Sequence, residues 1–364
     1  MRLTKLSYKT DGWELENIEF ENVSLIVGKN STGKSKTIAA IDLLVKILTQ
    51  KINLTHYSQE WFIEFINTNG DRIRYSFKTY QNENSVSEES LYINDLPILL
   101  RDTSDKALFK NAKTKEFEEI FPPESKLALH TSRDIHKFPY FEDIISWAEQ
   151  SYGFRFGNVS PLNSFGKDDY NLLTPIEETT ELYKVLVKET DNKIADKICD
   201  SLNIIGFPIV SIELVTPNHS DVNILLIREQ GMPNIIQFNR LSQGLFRCLS
   251  LLIFIEYLIV KKQPSSIIID DLCEGLDYER ATKLGKLVFE KCLKNGIQLI
   301  ATSNDAFLMD VVDLKYWNVL QRKGAIVTSI NAKTNPALFE NFKFTGLSNF
   351  DFFASDYIVQ KNNQ

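Results

Sequence analysis

The feature that most constrains the fold is the glycine-rich segment Gly28-Lys29-Asn30-Ser31-Thr32-Gly33-Lys34-Ser35. The apolar run Val23 to Val27 precedes it, and apolar residues recur at helical spacing from Lys34 to Gln50. This order predicts a buried strand, a tight loop and a helix, an arrangement that aims backbone N–H groups and a helix N-terminus at a bound phosphate. The segment therefore predicts a nucleoside-triphosphate site.

The residue types in this loop have separate expected roles. Lys34 reaches the β- and γ-phosphate oxygens, and the Ser35 hydroxyl holds Mg²⁺. Lys36 is a departure, since many such loops carry a second hydroxyl residue there. The predicted cofactors are therefore ATP and Mg²⁺. The residues predicted to contact the nucleotide here are Gly28, Lys29, Asn30, Ser31, Thr32, Gly33, Lys34, Ser35 and Lys36.

A second apolar run, Ser266 to Ile269, ends in the two acids Asp270 and Asp271. Asp270 is predicted to hold Mg²⁺ through water, and Asp271 to orient or deprotonate the attacking water. A strand that simply ends in a polar turn is the alternative. A second motif, Leu241-Ser242-Gln243-Gly244, precedes this run, and Asp270 follows its Ser242 by 28 residues (270 − 242). Because of this position we favour the functional interpretation.

Leu241-Ser242-Gln243-Gly244 resembles the signature motif of ABC-type ATPases, and Asp270 to Asp277 resembles their Walker B motif followed by a D-loop. The resemblance implies a homodimer in which Ser242, Gln243 and Gly244 of one protomer contact the γ-phosphate bound by the other. A hydroxyl beside a flexible glycine at a helix start suits that contact.

The resemblance also implies slow hydrolysis, because the chain departs from the family at two positions. Asp271 stands where most members have Glu, and Asn304 stands where most have the switch histidine. Asn can hydrogen-bond a phosphate but cannot carry a proton. The residues assigned to catalysis are Lys34, Asp271 and Asn304, and the assigned metal ligands are Ser35 and Asp270.

Spacing separates the branches of this family. The signature follows the glycine-rich loop by 214 residues (242 − 28), about twice the distance found in transporter domains, and no sustained heptads indicate a coiled-coil arm. The chain is most similar to small bacterial ABC-type ATPases related to SMC, RecF and overcoming-lysogenization-defect (OLD) proteins. The implied fold is α/β: an ATPase head with a central mixed sheet, an antiparallel β lobe and a compact helical and β-hairpin insert, without a long coiled coil.

The chain is predicted to have four segments. Residues 1–150 form the N-terminal ATPase lobe with the β lobe, which includes a hairpin around the Asn69-Gly70 turn. Residues 151–240 form the insert, with an exposed loop to Asn171, a helix from Thr174-Pro175 to about Leu202, and three strands. Residues 241–331 form the C-terminal ATPase lobe, and residues 332–364 form an aromatic tail.

Two features of the sequence each leave two interpretations open. Lys126 to Arg133 resembles a strand-then-arginine element of OLD-type ATPases, so Arg133 is either a nucleotide or DNA contact or a surface arginine. The aromatic residues between Phe339 and Tyr357 either dock on this protein's own core or form a partner-binding patch.

Composition limits where the protein can be located and what it can bind. The net charge of −7 gives no overall attraction to nucleic acid, so DNA contact would need local basic clusters such as Lys106 to Lys115 and Lys126 to Lys137. No signal-peptide pattern or membrane span is expected, which predicts a cytoplasmic protein. The four cysteines and four histidines have no spacing typical of a disulfide framework or a zinc site.

The leading functional prediction is an ATPase that dimerises on ATP and signals a DNA-related event to a nuclease or toxin effector in anti-phage defence. One alternative is a RecF-like DNA repair or recombination ATPase that binds DNA directly. The other is a structural scaffold that binds ATP with negligible turnover.

Overall fold

The computed structural model describes residues 1–52, 54, 58–80, 85–102, 105–156, 179–191, 193–216 and 223–354. The strands of this part are β1 (Arg2–Thr10), β2 (Trp13–Glu19), β3 (Val23–Val27), β4 (Gln59–Ile66), β5 (Arg72–Tyr80), β6 (Ser85–Ile93), β7 (Leu96–Arg101), β8 (Ala107–Lys110), β9 (Phe117–Ile120), β10 (Ser151–Arg155), β11 (Ile209–Val215), β12 (Ile224–Glu229), β13 (Ile236–Gln237), β14 (Ser266–Asp270), β15 (Gln298–Thr302), β16 (Trp317–Lys323) and β17 (Ile326–Ile330). Its helices are α1 (Lys34–Leu48), α2 (Ala128–Thr131), α3 (Glu142–Glu149), α4 (Thr179–Glu189), α5 (Lys193–Ile205), α6 (Gln243–Lys261), α7 (Tyr278–Asn295), α8 (Ala306–Val311), α9 (Pro336–Lys343) and α10 (Asn349–Ala354).

The chain divides into two compact units, and unit 1 comprises Met1–Ser151 and Trp317–Asn335. Its strands lie in the order β3, β16, β17, β2, β1, β4, β5, β6, β7, β8, β9. β16 runs parallel to β3 and β17 runs parallel to β2, whereas the strands from β2 onward pair antiparallel. The predicted mixed α/β fold with an antiparallel β lobe is therefore confirmed.

Alternation of apolar side chains builds the β lobe. In β4 and β5 every second residue is buried, which packs one face of the sheet and leaves the other face more polar. The turn between these strands is closed by Asn67, whose Oδ1 accepts the main-chain N–H groups of Asn69 and Asp71 at 3.0 and 2.9 Å. Both the strands and the turn agree with the sequence prediction.

Unit 2 comprises Tyr152–Tyr316 and Pro336–Gln364. It contains the neighbouring strands β10, β14 and β15 and the separate antiparallel sheet β11-β12-β13. The longest helix in the described part of the chain is α6, with 19 residues, so the described helices include no long coiled-coil arm. By length and composition α6 is the one described helix that could cross a membrane, but most of it is buried as the core helix of this unit.

The segment from Lys126 to Arg133 is not the predicted strand. It contains the short helix α2, whose first two N–H groups, on Ala128 and Leu129, donate to the Glu89 carboxylate at 2.6 and 3.2 Å. Glu89 lies on β6 and is fully buried, so a residue distant in sequence starts this helix. Arg133 forms an exposed ion pair with Glu142 at 2.6 Å, which agrees with the surface interpretation.

Two predictions for the insert were wrong. The expected exposed loop from Ser151 to Asn171 begins instead with strand β10, and Phe156 donates its N–H to the Asp270 carbonyl at 3.0 Å. The single helix expected up to Leu202 is two helices, α4 and α5, because Asp191 takes a left-handed conformation with φ 50° between them. The predicted loop end and the Thr174-Pro175 cap lie outside the described residues.

The C-terminal aromatic residues dock largely on their own unit. Phe339 and Phe342 of α9 and Phe352 of α10 are buried, with ring centroids 4.8 Å apart for both pairs that include Phe352. Phe344 remains 89% exposed, and Tyr357 lies outside the described residues. The division of the chain into four segments stays a prediction.

Candidate nucleotide site

The glycine-rich loop has the expected setting of strand, loop and helix. All five residues of β3 are buried, and α1 follows the loop with Ile38, Ile41 and Leu44 on its buried face. This packing holds both ends of the loop in the core of unit 1. Lys29, Asn30 and Ser31 of the loop are exposed.

Two glycines in the loop are required by its geometry. Gly33 precedes α1 with φ 112°, a conformation that residues with a side chain rarely adopt. A Cβ atom at Gly28 would lie 2.5 Å from Thr32 Oγ1, which is too close. Thr32 itself closes the turn, since its hydroxyl donates to the Lys29 carbonyl at 2.8 Å.

Lys34 is folded back over the loop. Its Nζ donates to the Gly28 carbonyl at 2.6 Å and to the Lys29 carbonyl at 3.3 Å, and its side chain is buried. Ser35 and Lys36 are exposed in the first turn of α1, and Lys36 Nζ lies 5.7 Å from the centre of the Trp13 ring. The loop thus combines a buried ammonium, a hydroxyl and a helix N-terminus, the donor set that fits a nucleoside triphosphate.

Sequence reasoning missed the residues that support this loop from other parts of unit 1. A Cβ atom at Gly33 would lie 3.3 Å from Val327 Cγ2 and 3.5 Å from Trp13 Cζ2, so both side chains pack against the loop. Arg322 Nη1 donates to the Ser31 carbonyl at 3.1 Å. Nothing in the local sequence near residue 322 signals this contact, because the two residues are 291 positions apart.

In unit 2, Asp270 ends β14, where one hydroxyl orients it. Thr302 Oγ1 donates to Asp270 Oδ1 at 2.7 Å and accepts the Asp271 main-chain N–H at 2.9 Å. Thr302 ends the neighbouring parallel strand β15. It was missed from the sequence, although a hydroxyl residue directly after an apolar strand and beside Asn304 is a recognisable signal. The carboxylate of Asp270 fits a hard cation such as Mg²⁺.

Asp271 and Asn304 lie together in unit 2. Asn304 Nδ2 is 3.5 Å from Asp271 Oδ1, the limit of a hydrogen bond. Asp271 has φ 55°, a left-handed conformation in which Asp and Asn are tolerated better than longer residues. The pair offers a carboxylate for a water proton and an amide that can hydrogen-bond a phosphate.

The signature residues lie at the start of α6, also in unit 2. Ser242 is the N-cap of this helix and accepts the Leu245 N–H at 3.4 Å, while Ser242 and Gln243 are both exposed. Arg247, one turn later, donates to the Glu274 carbonyl at 3.0 Å. Burial lowers the pKa of Arg247, a residue to which the sequence analysis assigned no role.

A strand, a glycine-rich loop with a folded-back lysine, and a helix define a P-loop nucleotide-binding protein. A family described as "AAA domain, putative AbiEii toxin, Type IV TA system" matches residues 23–310. That span is most of the chain and includes the loop, the signature and both acids. The chain belongs to this family, and the predicted relation to SMC- and RecF-like ABC-type ATPases is confirmed.

Solved structures of SMC heads resemble the fold. An SMC head bound to the C-winged helix domain of ScpA has a TM-score of 0.57 and 14% identity, over 93% of this chain and 100% of that chain. A head with an extended coiled coil, bound to the C-terminal domain of ScpA derived from Pyrococcus furiosus, has a TM-score of 0.53 and 11% identity, over 94% and 99%. The SMC head domain from Thermotoga maritima has a TM-score of 0.49 and 16% identity, over 91% and 99%. No curated protein matches the sequence.

Proposed function

We propose that this protein binds ATP with Mg²⁺, hydrolyses it slowly, and pairs with a second copy while ATP is held. The observation that carries the proposal is the loop of unit 1, where Gly33 at φ 112° and the buried Lys34 ammonium form a ready anion site. The helix N-terminus that follows this loop favours binding of a phosphate. Family membership supports ATP as the nucleotide.

The proposed chemistry assigns one role to each polar group. The nucleotide contacts are the nine loop residues from Gly28 to Lys36, and Lys34 neutralises phosphate charge as its Nζ exchanges carbonyl oxygens for phosphate oxygens. Ser35 and Asp270 hold Mg²⁺, which supplies Lewis-acid polarisation when bound. Asp271 accepts the proton of the attacking water, and Asn304 hydrogen-bonds phosphate.

Slow turnover follows from the pair Asp271 and Asn304. The carboxylate of Asp271 is one methylene shorter than the Glu found in most relatives, and Asn304 Nδ2 lies at 3.5 Å, so it holds that carboxylate weakly. An amide also cannot relay the proton that a histidine would carry. Slow ATP turnover suits a signalling switch better than it suits a motor.

We further propose that Ser242, Gln243 and Gly244 of one copy complete the site of the other, and that the pair acts on a nuclease or toxin effector in anti-phage defence in the cytoplasm. The exposure of Ser242 and Gln243 at a helix start supports an intermolecular contact. The family description, which names a toxin of a Type IV TA system, supports a partnered effector system.

Direct DNA binding is less well supported than signalling. In the basic clusters, Lys106 pairs with Glu119 at 2.7 Å and Arg133 with Glu142 at 2.6 Å. Paired cations release fewer counterions on binding phosphate, so they contribute less to affinity. Strong ATP-dependent binding of duplex DNA by the purified chain alone would instead support a RecF-like repair role.

The proposal is tested by ATP binding and single-turnover hydrolysis. We expect Lys34→Ala to abolish both, while Lys46→Ala, which removes an ion pair with Asp42 farther along the same helix, should leave both unchanged. ATP binding without any measurable hydrolysis in the wild type would support the scaffold alternative and contradict the proposed ATPase.

A further inference from the structure

Unit 2 contains a side-chain cluster that connects the insert to two motif segments, and we call it the D-loop joint. Its members come from the end of α5, the signature segment, the D-loop and the first turn of α7. They are Gly206, Phe207, Gly244, Leu276, Asp277 and Arg280.

Arg280 is the centre of the joint. Its Nη1 donates to Asp277 Oδ2 at 2.7 Å and its Nη2 donates to the Gly206 carbonyl at 3.3 Å. The guanidinium carbon lies 4.4 Å from the centre of the Phe207 ring. A planar guanidinium can stack on a ring and donate hydrogen bonds in its own plane at the same time, which an ammonium cannot do.

Asp277 receives two hydrogen bonds from the same residue. Besides the guanidinium, the Arg280 main-chain N–H donates to Asp277 Oδ1 at 3.0 Å, so Asp277 caps α7. This N–H bond, with the nearby Arg280 charge, lowers the pKa of Asp277. The carboxylate is therefore charged near neutral pH and available to both partners.

The other side of the joint is a close apolar contact with the signature. A Cβ atom at Gly244 would lie 3.1 Å from Leu276 Cδ2 and 3.8 Å from Phe207 Cζ. Phe207 is buried, and its ring lies close to both the Arg280 guanidinium and the signature glycine Gly244. A shift of the turn at Gly206 and Phe207 would therefore disturb both motif segments.

We propose that Arg280 and Phe207 are positioning residues through which the insert sets the conformation of the D-loop against the signature. The inference rests on the proposed function for its consequence, because a misplaced D-loop would slow hydrolysis. Neither residue touches the nucleotide in this scheme. They act through Asp277, Leu276 and Gly244.

Amide hydrogen exchange of residues 271–280 tests the positioning directly in the full chain without nucleotide. We expect Arg280→Lys and Phe207→Leu each to speed this exchange on the order of tenfold, because each removes the stacked guanidinium contact. Lys283→Ala is the matched control, since it breaks an exposed ion pair with Glu279 on the same helix and should leave exchange unchanged. Melting temperatures identify any variant that fails to fold.

The double variant separates a shared contact from two independent ones. If the two residues act through one joint, combining the changes should speed exchange no more than either change alone. Effects that multiply, or wild-type exchange in Arg280→Lys, would overturn the proposal.

Turnover gives a second readout. We expect Arg280→Lys to lower kcat about tenfold with the KM for ATP unchanged, and a raised KM at unchanged kcat would overturn the positioning role. If the wild type does not hydrolyse ATP, the proposed function fails, and the exchange result alone decides whether Arg280 positions the D-loop.

Discussion

At the scale of single residues, the backbone conformation of Asp271 favours a short polar side chain. Its φ of 55° lies in the left-handed region, which costs most L-residues energy but is tolerated by Asp and Asn because their short polar side chains can hydrogen-bond locally. Glu, which is one methylene longer, has no such advantage. The short acid therefore fits the local conformation, whatever it does to the rate of hydrolysis.

Because of this conformation, two substitutions of Asp271 should differ in their effect on the free energy of unfolding. We expect Asp271→Asn to unfold at nearly the wild-type urea concentration, whereas Asp271→Glu should lose about 1 kcal/mol of unfolding free energy. Asp271→Asn should hydrolyse ATP more slowly than the wild type in single-turnover assays, because its amide cannot accept the proton of the attacking water. Asp191→Glu, at an exposed position with φ 50°, should show the same loss of stability with normal turnover. Equal unfolding free energies of Asp271→Glu and the wild type would contradict this account.

A similar argument applies to Gly33, where the backbone conformation and the crowding of a new side chain both oppose substitution. We expect Gly33→Ala to cost about 2 kcal/mol of unfolding free energy and to weaken ATP binding, because the new Cβ atom would meet Val327 Cγ2 at 3.3 Å. Gly324→Ala is the control: that glycine also has positive φ, 64°, but nothing lies within 4 Å of its Cβ position. Urea unfolding and equilibrium ATP binding measure the two effects. Equal losses in both variants would show that crowding against Val327 plays no part.

At the scale of elements, α6 combines a long apolar surface with two buried charged residues, Arg247 and Glu256. Glu256 is fully buried, and its carboxylate pairs with Lys197 of α5 and Lys291 of α7, each at 2.5 Å. One acid therefore links three helices of unit 2. Burial of a charge is tolerated here because both oxygens have a cationic partner.

Removing that charge should destabilise unit 2. We expect Glu256→Gln to lower the unfolding free energy by about 2 kcal/mol, since the half-buried Lys291 then lies beside a neutral amide. Glu279→Gln removes an ion pair between Lys283 and an acid that is 70% exposed, so it should change stability by less than about 0.5 kcal/mol. Chemical denaturation of both variants provides the test, and equal stability of the two would contradict a structural role for Glu256.

Sequence patterns predicted most elements because local periodicity determines them. The alternation in β4 and β5 and the helical spacing in α1 are properties of short windows. Two of the errors came from distant partners: α2 begins where it does because Glu89 caps it, and β10 is a strand because it lies beside β14. Neither partner is visible in a window of ten or twenty residues.

At the scale of the whole molecule, the chain returns to unit 1 after more than 160 residues in unit 2. The hairpin β16–β17 was predicted, but its parallel pairing with β3 and β2 was not, since pairing between distant strands leaves no mark on local sequence. This return brings Val327 and Arg322 to the glycine-rich loop. The motif residues of the site could thus be predicted from the sequence, whereas the residues that shape the loop could not.

The proposed pairing of two copies is a property of the whole molecule, and Ser242 is the residue at which to test it. Its side chain is exposed at the start of α6, so Ser242→Arg adds bulk without disturbing the core. We expect this variant to bind ATP normally through its own glycine-rich loop but to remain monomeric, whereas Asp271→Asn, which holds ATP unhydrolysed, should dimerise. Light scattering after size exclusion, with and without ATP, distinguishes the two states. The control is Ser211→Arg on β11, at a half-buried position outside the signature segment, which should dimerise as the wild type does. An ATP-bound Ser242→Arg dimer would show that the signature lies outside the interface.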